Sequence, residues 1–436
     1  MLLYEFKLAF KSLRKNPILS SLMIGAIALG IGVCMITVTM FYLMSGDPIP
    51  HKSDRLFAVQ IDSWSKERPY TGSTNEMPFQ LTWPDSTALM NRAPDFPQTA
   101  MFKSSMIIEQ LQQGSELRRE IVRITGRDFF SMFDLEFIYG TSWTEEMEQQ
   151  AQQVVVLSET VNNELFNGQD SVGESIRVDD REYRVVGVVK DWNPVPNFYD
   201  LNNGSIEDPE AMYLPISLSE PLAMTTAGNT NCWKPSTGSG PQAVYQSECV
   251  WTQYWVELKN ADEVAEYRNF LEGYYAEQQQ LGRFERPQKV AVSNVREWLN
   301  INQVVENDNR VLVGLAFMFL SVCVFNTVGL MLTKFLGRSK ETSIRRALGA
   351  TRMTILRQHL VEVSSIGFVG GILGLFLTWA GLSVIKFATD IPEQLLHLDL
   401  QLMALALILA LLATLAAGLY PSWHIGRISP ARYLRT

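Results

Sequence analysis

The side chains best able to ligate a metal or attack a substrate are few and scattered. The four histidines are His51, His359, His397 and His424, and no two have metal-ligand spacing. Cys34 and Cys323 sit inside apolar runs, where small buried thiols serve packing. Cys232 and Cys249 lie in an irregular stretch, NCWKPSTGSGPQAVYQSEC. In an oxidising compartment a bridge between them is expected, closing a loop worth about 3 kcal/mol in the chain-entropy model. Two unpaired surface thiols remain the alternative. No G-x-x-x-x-G-K-[ST] loop and no G-x-S-x-G turn occurs, so neither ATP binding by a P-loop nor that kind of acyl transfer is encoded. The stretch that does stand out is KETSIRRALGATR, Lys340 to Arg352, a basic and regular interruption between two apolar runs. Its chemistry is docking. Glu341 and Arg345 form a favourable i,i+4 pair, Ser339 can cap the first turn, and Gly349 supplies a left-handed stop. Ile344, Ala347 and Leu348 make an apolar face flanked by Arg345 and Arg346, and Thr351 caps the next helix. A short rigid helix with such a face suits the groove of a cytosolic partner. Topology signal and lipid headgroup contact would account for the charge alone.

The elements that must hold that stretch are membrane spans. Four windows, 18–44, 311–333, 361–385 and 401–420, are nearly free of charge, and each reaches the roughly 20 residues that cross a bilayer as a helix. The first is too long for a secretory h-region and lacks a small-x-small cleavage site, so it reads as an uncleaved anchor. Almost no ionisable group is expected inside the spans, which argues against ion coupling. Residues 1–17 form an amphipathic elbow helix, with Leu2, Phe6, Phe10 and Leu13 on one arc and Lys7, Lys11, Arg14 and Lys15 on the other.

Charge sets the orientation. The basic residues cluster in 1–17, in the 334–360 loop and in the 421–436 tail, whereas the whole chain carries −9. Basic short segments stay cytoplasmic. Both termini and the loop are therefore expected inside, and the acidic 45–310 domain outside, with 386–400 a short outer loop. With no catalytic constellation the chain is expected to be a non-enzyme, without cofactor or nucleic-acid partner, driven by another subunit.

KETSIRRALGATRMTILRQHLVEV resembles the cytoplasmic loop of MacB/FtsX-like ABC transporter permeases. GLYPSWHIGRISPARYLR resembles their closing motif, and VVVLSETVNNELFNGQDSVGESIRVDDREYRVVGVVKD resembles their periplasmic core. The resemblance implies a helical membrane protein with four transmembrane helices and a large α+β extracytoplasmic domain of two subdomains, inserted between helices 1 and 2. It implies a permease subunit in a bacterial inner membrane. That subunit would pass the motion of a cytosolic ABC ATPase, which binds ATP and Mg and is expected to be a separate polypeptide, to the periplasmic domain. A second permease, identical or paralogous, is implied as partner, together with a periplasmic adaptor and an outer-membrane channel for efflux. A lipoprotein-releasing permease and an FtsX-like regulatory subunit are the alternatives within that layout.

Within 45–310, strand–helix–strand patterns at YWVELKNADEVAEYRNFLEGYYAEQQQ and KVAVSNV predict one α/β unit from 51–135 with 248–300. Residues 136–247 read as an insertion with a helix over 158–166, ending in a long loop, 192–247. In the third span Gly367, Gly370, Gly371 and Gly374 give overlapping G-x-x-x-G pairs that permit close helix approach. Asn326, mid-span in the second, needs a hydrogen-bond partner in lipid, for which the second permease is one candidate.

Overall fold

The computed structural model describes residues 14–71, 76–93, 95–109, 118–234, 236–304, 307–389 and 400–426. The chain divides into a membrane unit, residues 1–45 with 305–436, and an inserted unit, 46–304. Most of the expected elbow helix, of the 386–400 loop and of the 421–436 tail lies outside the described residues.

Among the described residues the membrane unit has four long apolar helices, Pro17–Ser45, Asn307–Leu336, Arg352–Thr389 and Leu400–Gly426. Pro17 opens the first span at a position where its missing N–H costs nothing, and the Ser20 amide closes the first turn on the Asn16 carbonyl at 3.1 Å. The helices outrun the apolar windows: the third begins at Arg352, and the fourth continues through Pro421 to Gly426, where a tail was expected. Lipid offers no hydrophobic gain for helix association, so close packing must hold the bundle together. Glycine provides it. A Cβ on Gly367 would collide with Thr414 Oγ1, and one on Gly371 would sit 3.0 Å from the Ala410 Cβ, so this row faces the fourth span. A Cβ on Gly370 or Gly374 would lie 3.0 and 2.9 Å from the Ile27 and Ile31 side chains of the first. The two overlapping glycine pairs thus press the third span against two different neighbours.

Among the described residues the inserted unit is built on eleven strands: β1 (Leu56–Ile61), β2 (Leu81–Thr82), β3 (Gln98–Glu109), β4 (Arg118–Thr125), β5 (Phe137–Gly140), β6 (Val154–Ser158), β7 (Ser175–Val178), β8 (Arg181–Val189), β9 (Met212–Pro215), β10 (Val250–Glu257) and β11 (Val290–Asn294). Their main order is β11-β1-β10-β3-β4-β9-β6-β8-β5, with β2 on β10 and β7 bridging β3 and β8. The strands of 51–135 with 248–300 and those of 136–247 are therefore one hydrogen-bonded sheet: β4 pairs with β9 in parallel, and β7 with β3. Helix Glu159–Phe166 is capped by the Ser158 hydroxyl on the Val161 amide. The β7–β8 hairpin turns through Asp179 and Asp180, both at positive φ, which short polar side chains tolerate.

The 192–247 segment is more ordered than a long loop. It contains β9 and the helix Pro241–Tyr245, and a buried ion network anchors it. Arg123 of β4 donates to Asp200 at 2.7 Å and to Glu210 at 2.6 Å, and the Tyr199 hydroxyl donates to Glu210 at 2.6 Å. All four side chains are buried. Asp200 and Glu210 supply the acceptors that Arg123 needs once removed from water. Around this network Phe129, Phe133, Trp255 and Trp298 form the core on one sheet face. The indole N–H groups of Trp255 and Trp298 donate to the Tyr199 and Phe198 carbonyls. Cys232 and Cys249 are joined by a disulfide, while Cys34 and Cys323 are free and buried.

Candidate functional site

The stretch between the second and third spans folds as a short helix, Ser339–Ala347. Arg345 braces it twice: one guanidinium nitrogen donates to Glu341 at 2.8 Å, and the other to Gln358 of the third span at 2.9 Å. Its carboxyl end is a Schellman turn. The Gly349 amide donates to the Arg346 carbonyl and the Ala350 amide to the Arg345 carbonyl, each at 3.1 Å, with Gly349 at φ +102°. The Thr351 hydroxyl then accepts from the Thr354 amide and opens the third span's helix. One expected feature differs. Ser339 does not cap; the cap position is Arg338, without a side-chain cap bond, and Ser339 is the buried first residue of the helix.

Ile344 is 51 % and Leu348 83 % exposed, with Ala347 exposed beside them, while Arg345 and Arg346 are half-buried. A helix braced by Arg345 and closed at its carboxyl end thus holds an apolar surface exposed. Open apolar side chains on a rigid element of this kind are suited to burial against a second protein.

Below the short helix lies a group that the sequence reading missed. Lys334 Nζ is 2.7 Å from Glu362 Oε1 and 3.2 Å from Ser20 Oγ, and Arg338 is 3.7 Å from the same carboxylate. Spans one, two and three therefore meet around one ion pair, although almost no ionisable group was expected inside them. Lys334 looked like the first loop residue because the apolar window stops at 333, whereas the helix runs to Leu336. An acid at 362, at the edge of the next apolar run, was the available signal.

Asn326 lies on an exposed face of the second span beside Phe325, which is 74 % exposed, and its side chain has no hydrogen-bond partner among the described residues. No group of three or more histidine, cysteine, aspartate or glutamate residues able to hold a metal occurs among the described residues.

With this geometry in place, the sequence matches a MacB-like periplasmic core domain over residues 20–273 and an FtsX-like permease C-terminal domain over 313–430. The chain is 27 % identical to an uncharacterised ABC transporter permease, YvrN, of Bacillus subtilis, over 71 % of its own length and 68 % of that protein's. It is 25 % identical to a macrolide export ATP-binding/permease protein MacB of Rhodopirellula baltica, over 68 % of this chain and 42 % of that one. A MacB of Syntrophobacter fumaroxidans is 22 % identical, over 81 % and 52 %. The chain thus spans about half the length of these MacB relatives. Among solved structures, the periplasmic region of MacB from Actinobacillus actinomycetemcomitans aligns with 59 % of this chain and 96 % of its own, at 18 % identity and a TM-score of 0.35. The two domain matches, in the order in which the four spans and the inserted sheet require them, make this chain a multi-pass membrane protein of the MacB/FtsX-like ABC transporter permease family.

Proposed function

We propose that this chain is a non-catalytic permease subunit that passes the ATP-driven motion of a separate cytosolic ATPase to its extracytoplasmic domain. The observation that carries this reading is the exposed Ile344, Ala347 and Leu348 surface on a helix braced to the third span through Arg345 and Gln358. A push on that surface is delivered to the spans instead of being absorbed by a loop, because the turn at Gly349, the Thr351 cap of the next helix and the Glu341–Arg345–Gln358 chain leave the connection stiff. Spans one and two flank the inserted domain in the chain, so their displacement reaches it directly. ATP and Mg belong to the ATPase. The termini and the short helix are cytoplasmic in this reading, as their basic residues favour. A second permease, identical or paralogous, covers the Asn326 face and satisfies its amide. The work performed is efflux of a substrate already in the periplasm, through an adaptor and an outer-membrane channel.

Leu348→Asp tests the docking step. An aspartate there cannot be buried against an apolar groove without a partner charge. The variant is expected to insert and fold normally and to lose co-purification of the ATPase. Full co-purification with undiminished transport overturns the reading.

A further inference from the structure

We propose that a cavity at the foot of the bundle, on the inner side of the short helix, binds the phosphate of an anionic ligand, and that the ligand is a membrane lipid headgroup. The cavity measures about 420 Å³ and is walled by four cationic side chains, Arg14, Lys15, Arg338 and Arg345. Two carboxylates share its wall, and both are already engaged: Glu341 with Arg345 and Lys15, Glu362 with Lys334 and Arg338. Among the described residues the lining thus sets four cationic groups against two carboxylates. The second observation is His359. It lines the same cavity, is only 8 % exposed, and packs against Phe335 with ring centroids 4.3 Å apart and planes tilted by 44°, yet its Nδ1 has no hydrogen-bond partner among the described residues. A buried ring nitrogen left unpaired costs free energy that a ligand oxygen would recover, with the ring in the tautomer that donates from Nδ1.

The depth of the cavity favours a lipid. Its walls come from the residues just before the first span opens at Pro17, from those just after the second closes at Leu336, and from the start of the third span. That is the level at which phosphates of a bilayer lie, and guanidinium groups match phosphate oxygens well. The inference does not depend on ATPase docking, because the apolar Ile344, Ala347 and Leu348 lie on a different arc of the short helix.

Titrating the detergent-purified full chain with phosphatidylglycerol or phosphatidylcholine, and counting bound lipid by native mass spectrometry, tests the assignment. Removing two charges with Arg14→Gln/Lys15→Gln should weaken phosphatidylglycerol roughly 30-fold, at about 1 kcal/mol per basic side chain. These positions are exposed, so folding is not at stake. His359→Leu should weaken it about tenfold, as loss of a hydrogen bond to a charged group does. Phosphatidylcholine binding should not change in either variant. Inorganic phosphate that fails to compete supports the lipid source; phosphate that displaces phosphatidylglycerol keeps the anion site but assigns it to a free phosphate, overturning the lipid. Unchanged phosphatidylglycerol binding in both variants, or equal losses for both lipids, overturns the site.

Discussion

Lys334 and Glu362 form an ion pair of 2.7 Å in which the lysine side chain is 0 % and the glutamate 5 % exposed, joining the second span to the third directly beneath the short helix. Breaking such a pair leaves one charge buried without its partner and costs about 3–5 kcal/mol, whereas replacing both by apolar groups is often nearly neutral. Glu362→Ala should therefore lower the thermal unfolding midpoint of the detergent-solubilised protein sharply. Lys334→Met/Glu362→Met should recover most of that loss. A single variant as stable as the parent would show that the pair does not hold the bundle.

The glycine rows of the third span make a contrast that stability measurements can read. At Gly371 a Cβ already meets the Ala410 Cβ and Leu407, so Gly371→Val should overpack the contact with the fourth span at a cost of about 1–3 kcal/mol. Gly329 of the second span has nothing within 4 Å of the equivalent point. Gly329→Ala should leave the midpoint unchanged or slightly raised. Equal effects at the two positions would contradict the packing described here.

Glu148 of the inserted domain is held protonated to about 7, chiefly by burial, and the nearby Asp128 carboxylate adds to the shift; the Arg127 amide and guanidinium oppose it. Its ordinary value is 4.5. Between these two values the folded state binds the proton that the unfolded state has released. Stability is thus greatest below the window, falls as pH rises through it, and levels off above about 7. Glu148→Gln should flatten that slope and raise stability at pH 8, by about 3 kcal/mol at most. Urea unfolding of parent and variant at pH 5 and pH 8 measures both. An identical pH slope in the two proteins would exclude Glu148 as its source.

The Cys232–Cys249 bridge closes a loop of 17 residues, for which chain entropy gives about 3 kcal/mol. Peptide mapping without reductant should recover the two cysteines linked and Cys34 and Cys323 as free thiols. Cys232→Ser/Cys249→Ser should unfold at lower temperature than the oxidised parent. Ready alkylation of Cys232 and Cys249 without reductant would mean that no bridge forms.

The four spans and the short helix were legible because each is specified locally. Apolar length sets the spans; Glu341, Arg345, Gly349 and Thr351 set the helix and its ends. The glycine pattern was legible as a packing device, but not which row faces which neighbour, since that depends on how the bundle is assembled. The networks that tie distant segments together were not readable. Arg123 meets Asp200 and Glu210 across many residues of chain, and an arginine in a strand with two acids far downstream carries no periodic signal. Lys334 and Glu362 were hidden for a different reason: each sits at the edge of an apolar window, where a charge reads as a boundary. The single sheet joining 51–135, 136–247 and 248–300 was missed because pairing such as β4 with β9 is decided by tertiary contact, not by the pattern of either strand.

Transmission of motion into the spans depends first on Leu348 meeting an ATPase. A photo-crosslinking amino acid at position 348 in the intact complex, compared with the same group at the exposed Phe325 of the second span, reads that contact directly. A crosslinked product containing a P-loop ATPase, identified by its peptides, is expected at 348 and no such product at 325. Transport-competent protein that yields no ATPase adduct from position 348 would contradict it.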